Sequence, residues 1–500
     1  MELKLIRPEL LTMTAQELRA LYPILILVIG SLLAIVLSVI KLLSPKFSVF
    51  FTTVLVSVAA GLVALDFFGA PPVPLFNHMM VVDPFSTFFT VLFVGALLVS
   101  CLVSFRYLDR EKIQHPEYYI LMLFSVIGMI LMASSLDLIV LFIALELMSL
   151  SVYVLVGFRR ADRRSNEAAI KYFILGSVAS AILLYGAAIL YGCTGTMNLA
   201  EILPILSRSP EVQGPLFVVG MWLVVVGFLF KVASVPFHMW MPDIYEGAPT
   251  PVTGFMTSGI KAAAFATFLR VLFSLGYGKA MTEAIQVNVH DLLWVIAVAT
   301  MVVGNLIALT QTNLKRMLAY SSIAHTGYLM IGLLSGHKSE FGYAPIAMYL
   351  VGYSIMNLGA FALLSMVGGR EDHGLNLQDF SGLGKREPWL AFAMSVFLFS
   401  MAGVPPTAGF VSKYFLLYGA VQAGEVPLVV IAVLCSAVSV YYYLRVLVYM
   451  YMKDPVGAPS GSRHSLWAGA ALTAMVVLTL QVGIMPARLF EMARVALASF

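Results

Sequence analysis

The chain has 500 residues, 60% of them hydrophobic and only 11% charged, with a net charge of +4. Globular domains run about 45–50% apolar and about 25% charged, so a soluble enzyme, a nucleic-acid-binding protein and a disordered scaffold are excluded for the chain as a whole. The apolar runs are continuous rather than alternating, which points to an all-α polytopic membrane protein and away from a barrel.

Fourteen membrane helices are expected. Three lie at 22–42, 47–68 and 84–106, in an N-terminal unit of residues 1–116. Five follow at 117–134, 136–157, 168–191, 215–240 and 252–276, in residues 117–278. Five more lie at 291–310, 317–335, 343–367, 389–420 and 426–451, in residues 279–453, and the last at 466–485, in residues 454–500. The seventh and twelfth are interrupted at Val235-Pro236 and Pro405-Pro406, because proline removes a backbone donor and breaks a helix. The first apolar run, Tyr22–Ile40, is too long for a cleavable signal peptide and lacks a small-residue cleavage site.

The basic residues test this count. Loops after odd-numbered spans hold Lys41 and Lys46; Arg106, Arg110 and Lys112; Arg159, Arg160, Arg163 and Arg164; Lys315 and Arg316; Arg370, Lys385 and Arg386; and Lys453 and Arg463. Loops after even-numbered spans hold only Arg208, Lys279 and Lys338. Lys and Arg concentrate in short cytoplasmic loops, so the odd loops face the cytoplasm and both termini face outward. The N-terminal tail, with Lys4, Arg7 and Arg19, pulls the other way, but Glu2, Glu9 and Glu17 accompany it.

Several ionisable groups fall inside the spans: Glu146, Lys231, Lys261, Arg270, Lys413 and Arg445, with His325 beside them. A central lysine or arginine costs about 2.5–3.5 kcal/mol on insertion scales and usually faces a bundle interior or wet cavity. Arg270 and Arg445 lie near span ends, where snorkelling to the interface is the alternative. His325 reads either as a neutral core histidine or as a proton carrier, and Lys171, at the start of span six, reads first as interfacial. Glu146, Lys231, Lys261 and Lys413 lie near mid-span, where snorkelling is hardest, and are assigned to function.

An internal repeat is visible. Gly227-Phe228-Leu229-Phe230-Lys231 and Gly409-Phe410-Val411-Ser412-Lys413 share a G-F-x-x-K pattern at an offset of 182 residues. Glu146 with His325 and Arg270 with Arg445 stand at similar offsets, 179 and 175. Spans 4–8 are therefore expected to recur as spans 9–13. Five spans is an odd number, so the second copy is inverted. Inverted repeats with broken helices at matching positions are a transporter signature. The tamer alternative is that the prolines only kink packed helices; the lysine beside each break favours an ion path.

A lysine withdrawn from water holds its proton less tightly, and an approaching carboxylate tightens the hold again. Glu146 and Lys231 are expected to form such a switching pair, with Lys261, His325 and Lys413 continuing the line near the midplane. The three cysteines, Cys101, Cys193 and Cys435, are too scattered for a zinc site or an iron–sulfur cluster. No phosphate-binding glycine motif is present. Work against the membrane potential, about 2.3 kcal/mol per charge per 100 mV, must come from another ion's gradient or from a partner.

Two stretches carry a resemblance. Residues Pro236 to Val252 read PFHMWMPDIYEGAPTPV, and Gln311 to Tyr328 read QTNLKRMLAYSSIAHTGY. Both strongly resemble signatures of the proton-conducting antiporter-like subunits of respiratory complex I, and the likeness runs over nearly the whole chain. The loop from Asp243 to Pro249, Lys413 on the twelfth span and an end soon after span fourteen resemble the N-type branch of that family. The resemblance implies proton carriers at Glu146, Lys231, Lys261 and Lys413, with Lys171 and His325 also on family motifs. It implies that NADH, flavin, iron–sulfur clusters and quinone belong to partner subunits and that this chain binds no cofactor itself. The implied partners are the other membrane subunits, antiporter-like and small helical, the hydrophilic redox arm and the lipid bilayer, with no nucleic acid. The implied setting is a bacterial inner membrane with periplasmic termini. Competing readings are a subunit of a multisubunit cation/proton antiporter, a subunit of a membrane-bound hydrogenase, and a purely structural membrane anchor.

Overall fold

The computed structural model describes residues 13–40, 44–455 and 465–498. Lys4, Arg7, Lys41 and Arg463, and the end of the first expected span, lie outside the described residues.

All fourteen expected spans are present as helices. They are α1 (Tyr22–Val39), α2 (Pro45–Asp66), α3 (Pro84–Glu111), α4 (Glu117–Ser134), α5 (Leu138–Val156) and α6 (Arg163–Thr194). Span seven is α7 (Pro215–Lys231) and the short α8 (Met241–Gly247), and span eight is α9 (Thr250–Ser274). Then come α10 (Glu283–Thr310), α11 (Leu314–Ser335) and α12 (Ala344–Val367). Span twelve is α13 (Pro388–Ala402) and α14 (Ala408–Gln422), followed by α15 (Val426–Met452) and α16 (Leu466–Ile484). Twelve of these helices are long and apolar enough to cross a membrane. At about 1.5 Å per residue, the fragments of the two broken spans fall short of the roughly 30 Å hydrocarbon core.

Short elements outside the expected spans include a hairpin of β1 (Val73–Leu75) with β2 (Met80–Val82), helices at Ala15–Ala20 and Leu199–Arg208, and α17 (Ala487–Leu497) after the last span. Each is too short to give a membrane-length hydropathy signal.

Local chemistry explains the helix starts. Asp83, Asp137 and Asn313 cap α3, α5 and α11, their side-chain oxygens accepting backbone N–H groups of the first turn. Proline opens α2, α3, α7, α12, α13 and α15, where its missing N–H costs nothing.

The helices differ sharply in how much they hide. The apolar windows of α9 and α11 are 100% and 94% buried, against 33% for α1 and α16. A helix that is apolar all round and buried all round sits at a bundle centre. α9 and α11 therefore form the axis, and α1, α15 and α16 turn most of their surface outward. Within α9, Met256–Ile260 form a π-helical turn immediately before Lys261, a distortion frequent at functional sites.

Both breaks expose backbone carbonyls, and both are satisfied locally. After α7, Ala233 takes a left-handed φ of 56°, Trp240 Nε1 donates to the Phe230 carbonyl at 3.0 Å, and Thr326 donates to the Val232 carbonyl at 2.8 Å. After α13, Gly403 has a φ of 90°, and Lys413 caps the carbonyls of Met401 and Ala402 at 2.9 and 3.4 Å. Gly409 lets α14 cross the last turn of α13, since a Cβ there would strike the Ser400 carbonyl. Irregular backbone at membrane depth survives only with such partners.

The breaks differ from the expected match in one respect. Lys231 is the last residue of the helix before its break, whereas Lys413 lies in the second turn after its own. The shared G-F-x-x-K string thus falls on opposite sides of the two interruptions. A different correspondence is carried by backbone pairing. Asp137 bridges Asn198, with Leu138 N donating to the Met197 carbonyl and Leu199 N to the Leu136 carbonyl. Asn313 bridges Asn376, with Leu314 N donating to the Leu375 carbonyl and Leu377 N to the Thr312 carbonyl.

The charged loops sort by end. Arg159, Lys315 and Asp372, from the loops and helix ends after spans five, nine and eleven, meet in one cluster, and Arg110, at the end of span three, donates to the Ser365 carbonyl. At the other end, Arg270 forms a two-point ion pair with Asp83, at 2.8 and 3.0 Å. The arginines do not reach outward. Arg270 is 3% exposed, stacked over Phe85 at 4.6 Å, and Arg445 donates to the carbonyls of Leu309 and Gln311. Snorkelling loses because inward acceptors lie within reach.

Arg270→Ala is therefore expected to destabilise the protein by about 3 kcal/mol or more, since it removes one partner of a buried ion pair. The thermal unfolding midpoint of the detergent-purified protein measures this, and an unchanged midpoint counts against the pair.

Candidate functional site

α7, α9, α11 and α14 each deliver one titratable side chain to the bundle interior. Lys231 ends α7, Lys261 follows the π-turn of α9, His325 lies mid-way along α11 and Lys413 near the start of α14. Their exposures are 5%, 2%, 2% and 7%. Among the described residues, no carboxylate stands within ion-pair distance of any of the three lysines. Their acceptors are hydroxyl and carbonyl oxygens.

Lys231 Nζ donates to Ser149 Oγ of α5 at 2.9 Å and stands 5.9 Å from the centre of the Tyr153 ring. Lys261 Nζ donates to Ser322 Oγ of α11 at 2.8 Å and to the Ser322 carbonyl, and lies 4.8 Å from the Tyr353 ring. Lys413 Nζ donates to Ser436 Oγ at 2.9 Å and faces the Tyr328 ring at 5.1 Å. His325 Nδ1 is 2.6 Å from the Tyr349 hydroxyl and Nε2 is 3.5 Å from that of Tyr443. Tyr328 then joins His325, in ring contact at 5.8 Å, to Lys413.

These contacts run together. Thr326, next to His325, donates to the Val232 carbonyl beside Lys231 and to the Ser322 carbonyl that receives Lys261. The structure thus brings Lys231, Lys261, His325 and Lys413 into one polar line through a largely apolar bundle.

Glu146 and Lys171 stand differently. Glu146 shares α5 with Ser149 and, among the described residues, forms no ion pair with Lys231, whose amine goes to Ser149. Its buried Oε1 has no hydrogen-bond partner among the described residues. The expected switching pair is therefore held apart by one helical turn, with Ser149 taking the amine. Lys171 sits outside the line. It is half-exposed, paired with Glu167 at 2.7 Å and Asp243 at 3.0 Å. Asp243 also accepts from Arg316 at 2.7 Å, and Arg316 reaches Glu246 at 3.0 Å. This mixed-charge cluster borders an open polar pocket at the end of the bundle.

A second cluster, absent from the sequence reading, lies beside it. Asp372 is held by Lys315 and Arg159, both at 3.1 Å, and by the Tyr107 hydroxyl, also at 3.1 Å. Lys315 also donates to the Ala248 carbonyl at 2.5 Å. Burial alone would raise the Asp372 carboxyl, but Lys315 and Arg159 outweigh it and hold the group below its usual range. Asp372 stands in an unremarkable loop sequence and carries no local signal. Nor do Ser149, Ser322 and Tyr353, whose hydroxyls matter only because of what folds against them.

Comparison with known proteins bears on this geometry. Residues 135–439 match the family model described as NADH:quinone oxidoreductase/Mrp antiporter, transmembrane. A protein of Trichlorobacter lovleyi named NADH-quinone oxidoreductase subunit N is 46% identical over 447 residues, 88% of each chain. A chain in the structure of respiratory complex I from Thermus thermophilus with bound aureothin is 35% identical, with a TM-score of 0.80, covering 94% of this chain and 99% of that one. A chain of the Mrp complex from Dietzia is 24% identical, with a TM-score of 0.81, covering 97% and 98%. That last likeness speaks to the fold alone.

The Asp372 cluster has a defined pH response. A carboxylate held below its unfolded value, near 3.9, stabilises the fold above that value and loses the contribution as pH falls through the lower, folded value. The loop around residues 368–380 should therefore exchange its amide hydrogens slowly at pH 5–8 and open only in strong acid. Asp372→Asn should speed its exchange at pH 7, and hydrogen–deuterium exchange of the two forms measures the difference.

Proposed function

Because the chain belongs to the family of membrane subunits shared by NADH:quinone oxidoreductases and Mrp antiporters, we propose that it acts as the N-type, proton-translocating subunit of an NADH–quinone oxidoreductase. It is a multi-pass membrane protein of about fourteen spans, working in a translocase whose electron transfer occurs elsewhere. NADH, flavin, iron–sulfur clusters and quinone are handled by partner subunits, among them other antiporter-like and small helical membrane subunits and a hydrophilic arm. The likeness to the complex I chain from Thermus, over almost its full length, supports these partners. The protein resides in a bacterial inner membrane with both termini on the periplasmic side, a placement supported by the basic residues of the odd-numbered loops.

The observation that carries the proton-moving reading is the line Lys231, Lys261, His325, Lys413. Buried amines without carboxylate partners are poised between charged and neutral forms, and small changes nearby decide which form wins. Glu146, one turn from the acceptor of Lys231, is the nearest source of such a change. Its approach favours the charged lysine and its withdrawal releases a proton toward Lys261. The half-exposed Lys171 cluster belongs to the bundle end, where protons enter from water. Residues 117–278 and 279–453 act as two inverted halves meeting along α9 and α11. The matched backbone pairings at Asp137–Asn198 and Asn313–Asn376 support that division.

Lys231→Ala and Glu146→Gln should each lower NADH-driven proton uptake into inverted vesicles several-fold at equal amounts of assembled complex. Full uptake by Lys231→Ala would remove the proton-carrying role. Copurification with a sodium–proton exchanger, in place of a flavin- and iron–sulfur-bearing arm, would move the chain to the antiporter branch.

A further inference from the structure

A cavity of about 790 Å³ lies between α3, α12 and α16, and none of the residues lining it belongs to the line of amines. Packed interiors leave few voids larger than a water molecule, so a space of this size is shaped for something other than this chain's own side chains. It is long. α3 lines it from Phe88 to Leu102 and α16 from Ala470 to Val482, which is about 21 Å and about 18 Å of helix at about 1.5 Å per residue. One leaflet with its headgroups, half of a bilayer, is about 20–22 Å deep. Small residues on both long walls keep the space open, Gly95 and Ala96 on α3 and Ala470, Ala471 and Ala474 on α16. In membrane bundles such residues usually let two helices close up. Here a Cβ added at Gly95 would meet nothing within 4 Å, so that glycine serves no helix contact.

Polarity is graded along the cavity. Of the lining side chains only Ser354, Gln481 and Arg488 are polar. Ser354 is buried in the wall, whereas Gln481 and Arg488 both stand near the turn where α16 gives way to α17. α17 packs against α3 and α12 and closes that end, with Leu489 and Met492 in the lining and Ala493, Ala496 and Leu497 buried. Its other charges satisfy each other, Arg494 donating to Glu491 at 2.9 Å. Arg488 is exposed and has no ion pair among the described residues.

We propose that this cavity seats an anionic phospholipid, one acyl chain lying between α3 and α16 and the phosphate beside Arg488. An apolar bed with one unpaired cation at its end matches a molecule that is apolar for most of its length and negative at one end. A membrane-spanning helix of a partner would need about 20 residues, roughly 30 Å, and would meet α17 across its path. A lipid enters sideways from the bilayer and stops at that boundary, where an amphipathic helix lies naturally. The seated chain supplies packing contacts between α3 and α16 along this stretch. The proposal rests on the membrane placement of the chain and not on proton movement, so either can fail alone.

The test uses the assembled complex in phosphatidylcholine vesicles that contain a small fraction of phosphatidylglycerol with a photoreactive diazirine in its acyl chain. After illumination and digestion, mass spectrometry is expected to find label on α3, α16 and α17. Gly95→Trp, which fills the cavity, is expected to cut that label several-fold. Arg488→Gln is expected to cut it several-fold for the phosphatidylglycerol probe and to leave a phosphatidylcholine probe with the same diazirine unaffected. Label that Gly95→Trp leaves unchanged is the general lipid coat and overturns the seat. Absence of label on these helices means that a partner covers the cavity, and overturns it too. Equal labelling by the two probes, with Arg488→Gln without effect, overturns the anionic headgroup. Should Gly95→Trp assemble poorly, Ala474→Phe fills the cavity from the opposite wall.

Discussion

The structure depends on finding oxygen for amines that have been taken out of water. A lysine at membrane depth is costly unless its ammonium is solvated from within. Here that solvation comes from serine hydroxyls, backbone carbonyls and tyrosine rings, at Ser149, Ser322, Ser436, Met401 and Ala402. A full carboxylate partner would lock each amine in its charged form. Neutral acceptors hold the side chain in place while leaving its charge adjustable. Glu146, whose Oε1 is buried, stands one turn along α5 from Ser149, the hydroxyl that takes the Lys231 amine.

The broken helices serve the same end. Interrupting α7 and α13 frees carbonyls that a continuous helix would consume in its own ladder. Lys413 takes two of them directly, and Thr326 uses one to connect the first half to α11. The π-turn ahead of Lys261 is a third departure from regular helix on the same line. The two mid-span breaks and the π-turn thus lie where buried amines need acceptors.

Charges that do have ionic partners lie at the ends. Asp83 with Arg270, Asp372 with Lys315 and Arg159, and Asp243 with Lys171 and Arg316 tie loops and helix ends from distant parts of the chain together. Ion pairs of this kind fix which groups meet. They act as fastenings around a central line kept free of them, so the bundle ends can be rigid while the middle stays electrostatically responsive.

Much of this was legible in the amino-acid string alone. Hydropathy period and length set the fourteen spans, because a membrane helix must be apolar for about twenty residues whatever surrounds it. Lysine and arginine placement set the alternation of loops, and mid-span Lys231, Lys261 and Lys413 announced themselves because charge is rare at that depth. The partners of those charges were not legible. Serine, threonine and tyrosine are ordinary in membrane helices, and nothing local distinguishes Ser322 from any other serine. Whether Arg270 turned inward or outward, and whether Lys231 met Glu146 or Ser149, depended on contacts between segments far apart in the chain. Those contacts exist only once the helices have packed, since hydrogen bonding is decided over fractions of an ångström and sequence spacing constrains position only along one helix at a time.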